Sequence, residues 1–180
     1  MRHIPNILST IRLLMVGVFL YFFSVERYLA CLITYIAAFL TDLLDGFLAR
    51  RNNWITNIGK VLDPLADKFM LLAALSCFWY KGWLPGYLIA IAYVKEVLMI
   101  IGSAFLFRKN VVVYADWFGK LASGFFSLSV ALTLGKYFLP TIGTLHLDVI
   151  VFVIAIVLAL IALVHYAKLN LFPMLHCKKE

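Results

Sequence analysis

Acidic residues are scarce in this chain: nine Asp and Glu in 180 residues, against sixteen Lys and Arg. Charged side chains of both signs make up only 14%, while 64% of residues are hydrophobic and the mean hydropathy is +0.98. That balance excludes an ordinary soluble domain and places the chain among polytopic membrane proteins. No Ser/Pro-rich linker or low-complexity tract interrupts it, so a single transmembrane domain over residues 1–180 is expected. Cysteine is nearly absent. Cys31, Cys77 and Cys177 lie far apart, without a CxxC or Cys/His spacing, which excludes a zinc site and reads as structural thiols. His165 and His176 are not at metal-ligand spacing either. The net charge of +7 raises the question of nucleic acid. No basic run interleaved with aromatics is present to grip a single strand, so nucleic acid is not an expected partner. Anionic lipid surfaces and phosphate-bearing substrates are. A cleavable signal peptide is not expected, because the apolar run from Leu13 ends in large residues and charge.

What is present is a series of long apolar runs. The sequence predicts an all-α integral membrane protein of six transmembrane helices, opened by a short amphipathic N-terminal segment, Met1–Ile11. The expected spans are Ile7–Val25, Tyr28–Arg50, Asn57–Tyr80, Trp83–Phe107, Trp117–Leu139 and Asp148–Lys168. Trp79, Tyr80 and Trp83 are expected to form a headgroup belt at the turn after the third span. Pro64 removes a backbone donor within that span and predicts a kink or local opening. With the N-terminus inside, Arg2, Arg12, Arg50, Arg51, Lys60, Arg108, Lys109, Lys120, Lys168, Lys178 and Lys179 fall on one side. Only Arg27, Lys81 and Lys136 fall on the other. This asymmetry predicts both termini in the cytoplasm.

The stretch from Thr41 to Met70 holds Asp42, Asp45, Asp63 and Asp67, four of the nine acids. A carboxylate at membrane depth is costly and marks a function by default. Asp42 and Asp45 are i and i+3 on one expected helix, and Asp63 and Asp67 are i and i+4 on the next. The link Arg51–Thr56 is short, so the two helices should be antiparallel neighbours with the pairs at similar depth. Four carboxylates so close repel one another unless cations lie between them. An oxygen-only donor set suits Mg²⁺, Mn²⁺ or Ca²⁺ rather than zinc.

The spacing Asp42-x-x-Asp45-Gly46-x-x-Ala49-Arg50, then eight residues, then Gly59-x-x-x-Asp63-x-x-x-Asp67, resembles the signature of the CDP-alcohol phosphotransferase family. All eight signature positions are matched over 26 residues. The resemblance implies a homodimeric phosphatidyltransferase in a bacterial cytoplasmic membrane, its active site facing the cytoplasm, dependent on one or two Mg²⁺ or Mn²⁺ ions. It implies Asp42, Asp45, Asp63 and Asp67 as metal ligands, with Asp67 also the catalytic base. It implies Asp45, Gly46, Ala49, Arg50 and Gly59 as the CDP-lipid site, with Gly46 and Ala49 small enough to admit cytidine and diphosphate. In this reading CDP-diacylglycerol gives its phosphatidyl group to an alcohol and CMP leaves.

Asn6-x-x-x-Thr10-x-Arg12 and Gly119-Lys120-x-x-Ser123 resemble the phosphatidylglycerophosphate synthase branch, which implies sn-glycerol 3-phosphate, a small phosphorylated alcohol, as acceptor. Arg12, Lys95, Arg108 and Lys120 are the expected ligands of its phosphate. For Arg12 the alternative is snorkelling to the headgroups. For Lys95, which need not pair with its neighbour Glu96, it is an ion pair with another helix. A cardiolipin synthase of the same family, with phosphatidylglycerol as acceptor, is the enzyme alternative, and an inositol-phosphate acceptor is a further one. An ion or proton transporter is the non-enzyme alternative. It would spread its acids along a path, often with repeated halves, whereas these acids cluster.

Overall fold

The structure is a computed structural model. It describes the backbone of residues 4–52, 59–108, 117–139, 145–166 and 168, and the side chains of residues 10–42, 68–102, 117, 119–139, 145–165 and 168. Among these residues the chain is all helical: α1 Ile4–Ser24, α2 Tyr28–Asn52, α3 Gly59–Lys81, α4 Gly86–Arg108, α5 Trp117–Gly135 and α6 Leu147–Tyr166. The six expected helices are present, with three shifts of more than two residues at described ends; α1 starts at Ile4 rather than Ile7. α4 starts at Gly86 rather than Trp83 because Pro85 disfavours a helical residue before it; the Pro85 carbonyl instead accepts the first helical N–H bonds, from Leu88 and Ile89. α5 stops at Gly135, where Phe138 and Leu139 turn back to donate to the Gly135 carbonyl. Residues 4–11 are the opening turns of α1 and not a separate amphipathic segment. α3 runs through Pro64 as one helix.

The chain divides into two compact units, one of Met1–Trp83 with Val130–Leu145, the other of Leu84–Ser129 with His146–Glu180. In the first, α1 packs against both α2 and α3, which also touch each other. Two polar contacts fix the directions of these helices. Lys81 at the end of α3 pairs with Glu26 in the α1–α2 turn at 2.5 Å. Arg12, half-way along α1, pairs with Asp42 of α2 at 2.6 Å. α1 and α3 therefore run together, and α2 runs against both.

The Glu26 end is closed by aromatic rings. Trp83 stands 5.4 Å from Phe23, 4.9 Å from Tyr28, 5.6 Å from Phe78 and 4.7 Å from Tyr137 between ring centres. Trp79 and Tyr80 are exposed, and Trp83 is half-buried. Leaving the helix at Gly82 turns its ring inward, among these aromatics. α1 and α3 end in the same way. The N–H groups of Glu26 and Arg27 return to Phe23 and Phe22, and those of Gly82 and Trp83 return to Trp79 and Phe78. Both are Schellman caps, which need a left-handed residue. Gly82 takes that place in α3 at φ 65° and Glu26 in α1 at φ 57°. The Glu26 carboxylate in turn holds the Lys81 ammonium above the ordinary lysine range through their hydrogen bond. Gly82→Ala is expected to cost about 1–2 kcal/mol, because a Cβ is strained in this conformation. A lower midpoint in a detergent unfolding titration checks it.

In the second unit α4 packs on α6, and α5 meets α6 through Phe126 and Phe152, whose rings stand edge to face at 5.5 Å. The Ser129 hydroxyl donates to the Asp148 carbonyl at 3.0 Å. Small residues point inward: Ala92, Ala122, Ala155, Ala159 and Ala162 are buried. Large apolar residues point outward, among them Leu14, Ile33, Val94, Ile101, Val157 and Val164. This inversion suits helices in lipid, where association depends on close backbone approach and the exterior need not be polar. Among the described residues, Leu147–His165 is long and apolar enough to cross a bilayer, and Thr10–Ser24, Tyr28–Asp42 and Gly119–Gly135 are shorter apolar helical runs.

Candidate functional site

The four acidic positions lie on α2 and α3. The Glu26–Lys81 contact sets a common zero for both helices. Measured from Tyr28, Asp42 stands about 21 Å along α2 and Asp45 about 26 Å, at ~1.5 Å per residue. Measured from Lys81, Asp67 stands about 21 Å along α3 and Asp63 about 27 Å on the same rise. Asp42 is thus level with Asp67, and Asp45 with Asp63, on helices running in opposite directions. Gly46, Ala49 and Arg50 follow in the last turns of α2, and Gly59 opens α3. The side chains of Asp45, Ala49, Arg50, Asp63 and Asp67 lie outside the described residues, as does that of Arg108, the last residue of α4.

Asp42 is described, and it has a partner the sequence had not assigned. Arg12 Nη1 stands 2.6 Å from Asp42 Oδ1. Arg12 as a residue is 1% exposed, so it does not snorkel to the headgroups; the Asp42 side chain is 36% exposed. The guanidinium is enclosed by its own bundle, while the carboxylate keeps an open side. The match was legible in principle. Counted back from Ser24, Arg12 is about 18 Å along α1, close to the level of Asp42 at ~1.5 Å per residue.

The remaining basic residues singled out lie in the second unit. Lys95 is buried and pairs with its own neighbour: Nζ stands 2.7 Å from Glu96 Oε1, with side chains 7% and 1% exposed. Adjacent helical residues diverge by direction, but the lysine stem is long enough to bridge back. On one side Lys95 meets apolar side chains, including Phe126 with its ring centre 5.7 Å from Nζ. Lys120, in the first turn of α5, is exposed and leans over the Trp117 ring at 5.6 Å. Its carbonyl accepts a hydrogen bond from the Ser123 hydroxyl at 2.9 Å, which ties the Gly-Lys-x-x-Ser element into one helical turn.

A cavity of about 430 Å³ lies between α1 and α3, lined by Leu20, Phe23, Glu26, Ser76, Cys77 and Lys81 among others. It is at the aromatic end, remote from the acidic positions. Among the described residues no group of three or more acids, histidines or cysteines converges on one point.

A family model described as CDP-alcohol phosphatidyltransferase matches residues 2–169. A CDP-diacylglycerol--glycerol-3-phosphate 3-phosphatidyltransferase of Aquifex aeolicus is 38% identical over 130 residues, 71% of this chain and 73% of the relative. A probable phosphatidylglycerophosphate synthase of Mycobacterium tuberculosis is 33% identical over 171 residues, 91% of this chain and 79% of the relative. A relative in Shigella flexneri with the same name as the Aquifex protein is 28% identical over 172 residues, 91% of this chain and 92% of its own. With the matched acidic levels on α2 and α3 and a family match over nearly its full length, the chain belongs to the CDP-alcohol phosphatidyltransferase family.

Proposed function

We propose that this protein transfers the phosphatidyl group of CDP-diacylglycerol to the hydroxyl of sn-glycerol 3-phosphate, forming phosphatidylglycerophosphate and CMP. The observation that carries the reading is the family match over residues 2–169; counted at ~1.5 Å per residue, Asp42 with Asp67 and Asp45 with Asp63 also fall at similar levels on antiparallel α2 and α3. The named activity of relatives that match over most of their length supports the acceptor.

The acceptor hydroxyl oxygen attacks the phosphorus that bears the diacylglycerol. A new P–O bond forms, the P–O bond to CMP breaks, and the hydroxyl proton passes to Asp67. That proton transfer makes Asp67 the general base, and the reach is set by its place one helical turn beyond Asp63. The oxygen donors at the four positions fit Mg²⁺ or Mn²⁺, and one or two such ions, when bound, supply positive charge along the diphosphate. Gly46 and Ala49 leave room for the nucleotide beside α2, Gly59 allows close approach at the start of α3, and Arg50 holds diphosphate charge. A site set among lipid-facing helices also limits water, the competing nucleophile.

Lys120 and Arg108 are the proposed ligands of the acceptor phosphate, with Lys95 a ligand only if it leaves its buried pairing with Glu96. Lys120 is the best presented of these, being exposed at the start of α5. Lys120→Ala is expected to raise the acceptor KM about tenfold or more while moving the donor KM little, since a lost charge-assisted hydrogen bond is worth roughly 1.5–3 kcal/mol. Equal rises in both would make the lysine a general electrostatic element. The proposed topology has six spans, with both termini and the acidic ends of α2 and α3 in the cytoplasm of a bacterial inner membrane, in a homodimer. Incubation with CDP-diacylglycerol, Mg²⁺ or Mn²⁺ and a panel of acceptors, read by CMP release and lipid mass, tests the function. Product from phosphatidylglycerol or inositol phosphate, and none from glycerol 3-phosphate, would replace it.

A further inference from the structure

We propose that Arg12 is a positioning residue for Asp42, holding the first carboxylate of the signature in place for the divalent cation, and that it is not a ligand of the acceptor phosphate. The proposal rests on the metal reading given above.

Four observations carry it. Arg12 Nη1 is 2.6 Å from Asp42 Oδ1, a close ion pair of opposite charges. The arginine is 1% exposed, so a phosphate arriving from water would have to draw it out of its packing and away from Asp42. The Asp42 side chain is 36% exposed, which leaves the carboxylate an open side while one oxygen is held. Finally, α1 packs against both helices that bear the acids, so the backbone that carries Arg12 is fixed relative to them.

The residue type fits the role. A guanidinium stays charged when buried, and its planar fork holds a carboxylate in a defined orientation. Arg12 also lowers the negative charge of the acidic cluster by one unit, a cation supplied from within the chain. Side chains that orient metal ligands in this way usually change metal affinity about 10- to 100-fold when replaced.

The test is Mn²⁺ binding to the purified full-length protein in detergent, followed by electron paramagnetic resonance and paired with steady-state kinetics. Arg12→Gln is expected to weaken Mn²⁺ binding about tenfold or more. At saturating Mn²⁺ its donor and acceptor KM values should keep their wild-type ratio. Arg12→Lys keeps the charge and loses the fork, so its Mn²⁺ affinity should be intermediate; it carries the test alone if the glutamine variant does not fold. In the background of Asp42→Asn, adding Arg12→Gln should leave Mn²⁺ affinity unchanged, because Arg12 acts through the missing carboxylate. Wild-type Mn²⁺ affinity in Arg12→Gln and Arg12→Lys, with a selective rise in acceptor KM, overturns the proposal. A further loss of affinity in the Asp42→Asn background overturns it as well. A wild-type protein that binds no Mn²⁺ overturns the metal reading, and this proposal with it.

Discussion

Asp67→Asn is expected to stop CMP release while CDP-diacylglycerol binding remains measurable. Asparagine keeps the size and one hydrogen-bonding oxygen of aspartate but cannot take the acceptor's proton. General bases contribute about 10²- to 10⁴-fold. Asp67 is also a proposed metal ligand, so kcat should fall by about 10³-fold or more on the same grounds. The donor is held in addition by groups at Gly46, Ala49, Arg50 and Gly59, so its binding should survive. Single-turnover CMP release and equilibrium binding of a labelled CDP-lipid measure the two quantities separately. Full activity would remove Asp67 from the mechanism.

The second large effect concerns stability. Lys95 and Glu96 form a buried pair at 2.7 Å, with little of either side chain exposed. Glu96→Leu alone takes away the carboxylate that neutralises a buried ammonium and is expected to destabilise the protein by about 3–5 kcal/mol. Lys95→Met alone removes the ammonium paired with the buried carboxylate and should cost a similar amount. Replacing both, as Lys95→Met with Glu96→Leu, removes two desolvated charges together. Such exchanges are often neutral or stabilising by about 1–4 kcal/mol. Unfolding titrations in mixed detergent micelles would register the three variants, and two equally unstable single variants with a stable double variant is the expected pattern. The double variant then separates structure from chemistry. If it is folded and its acceptor KM is raised, Lys95 acts on the acceptor phosphate as proposed. If it is folded with unchanged kinetics, the lysine serves packing alone.

Much of the architecture was legible from the residues. Periodic apolar runs and punctuating turns placed the six helices, because in lipid every backbone group must be paired within its own segment. The ends were less legible where local chemistry competed with the pattern. Trp83 reads as the start of a helix by hydropathy, yet Pro85 and the left-handed Gly82 detach it. Its ring then meets those of Phe23, Tyr28, Phe78 and Tyr137. Trp79 and Tyr80 are exposed, while Trp83 is half-buried among these rings.

The candidate site divides in the same way. Spacing alone put Asp42 with Asp45 and Asp63 with Asp67 on common helical faces, since i, i+3 and i, i+4 relations are fixed by 3.6 residues per turn. Composition alone made their cost conspicuous in an apolar chain. Which cation meets Asp42 from within the protein depended on α1 lying beside α2, and only the folded bundle supplied that. The fate of Lys95 likewise depended on the apolar side chains that meet it on one side. Helical periodicity is a property of neighbouring residues and is written in their order. The partner of a buried charge is chosen by whatever else the fold has desolvated beside it, and that choice belongs to the tertiary structure.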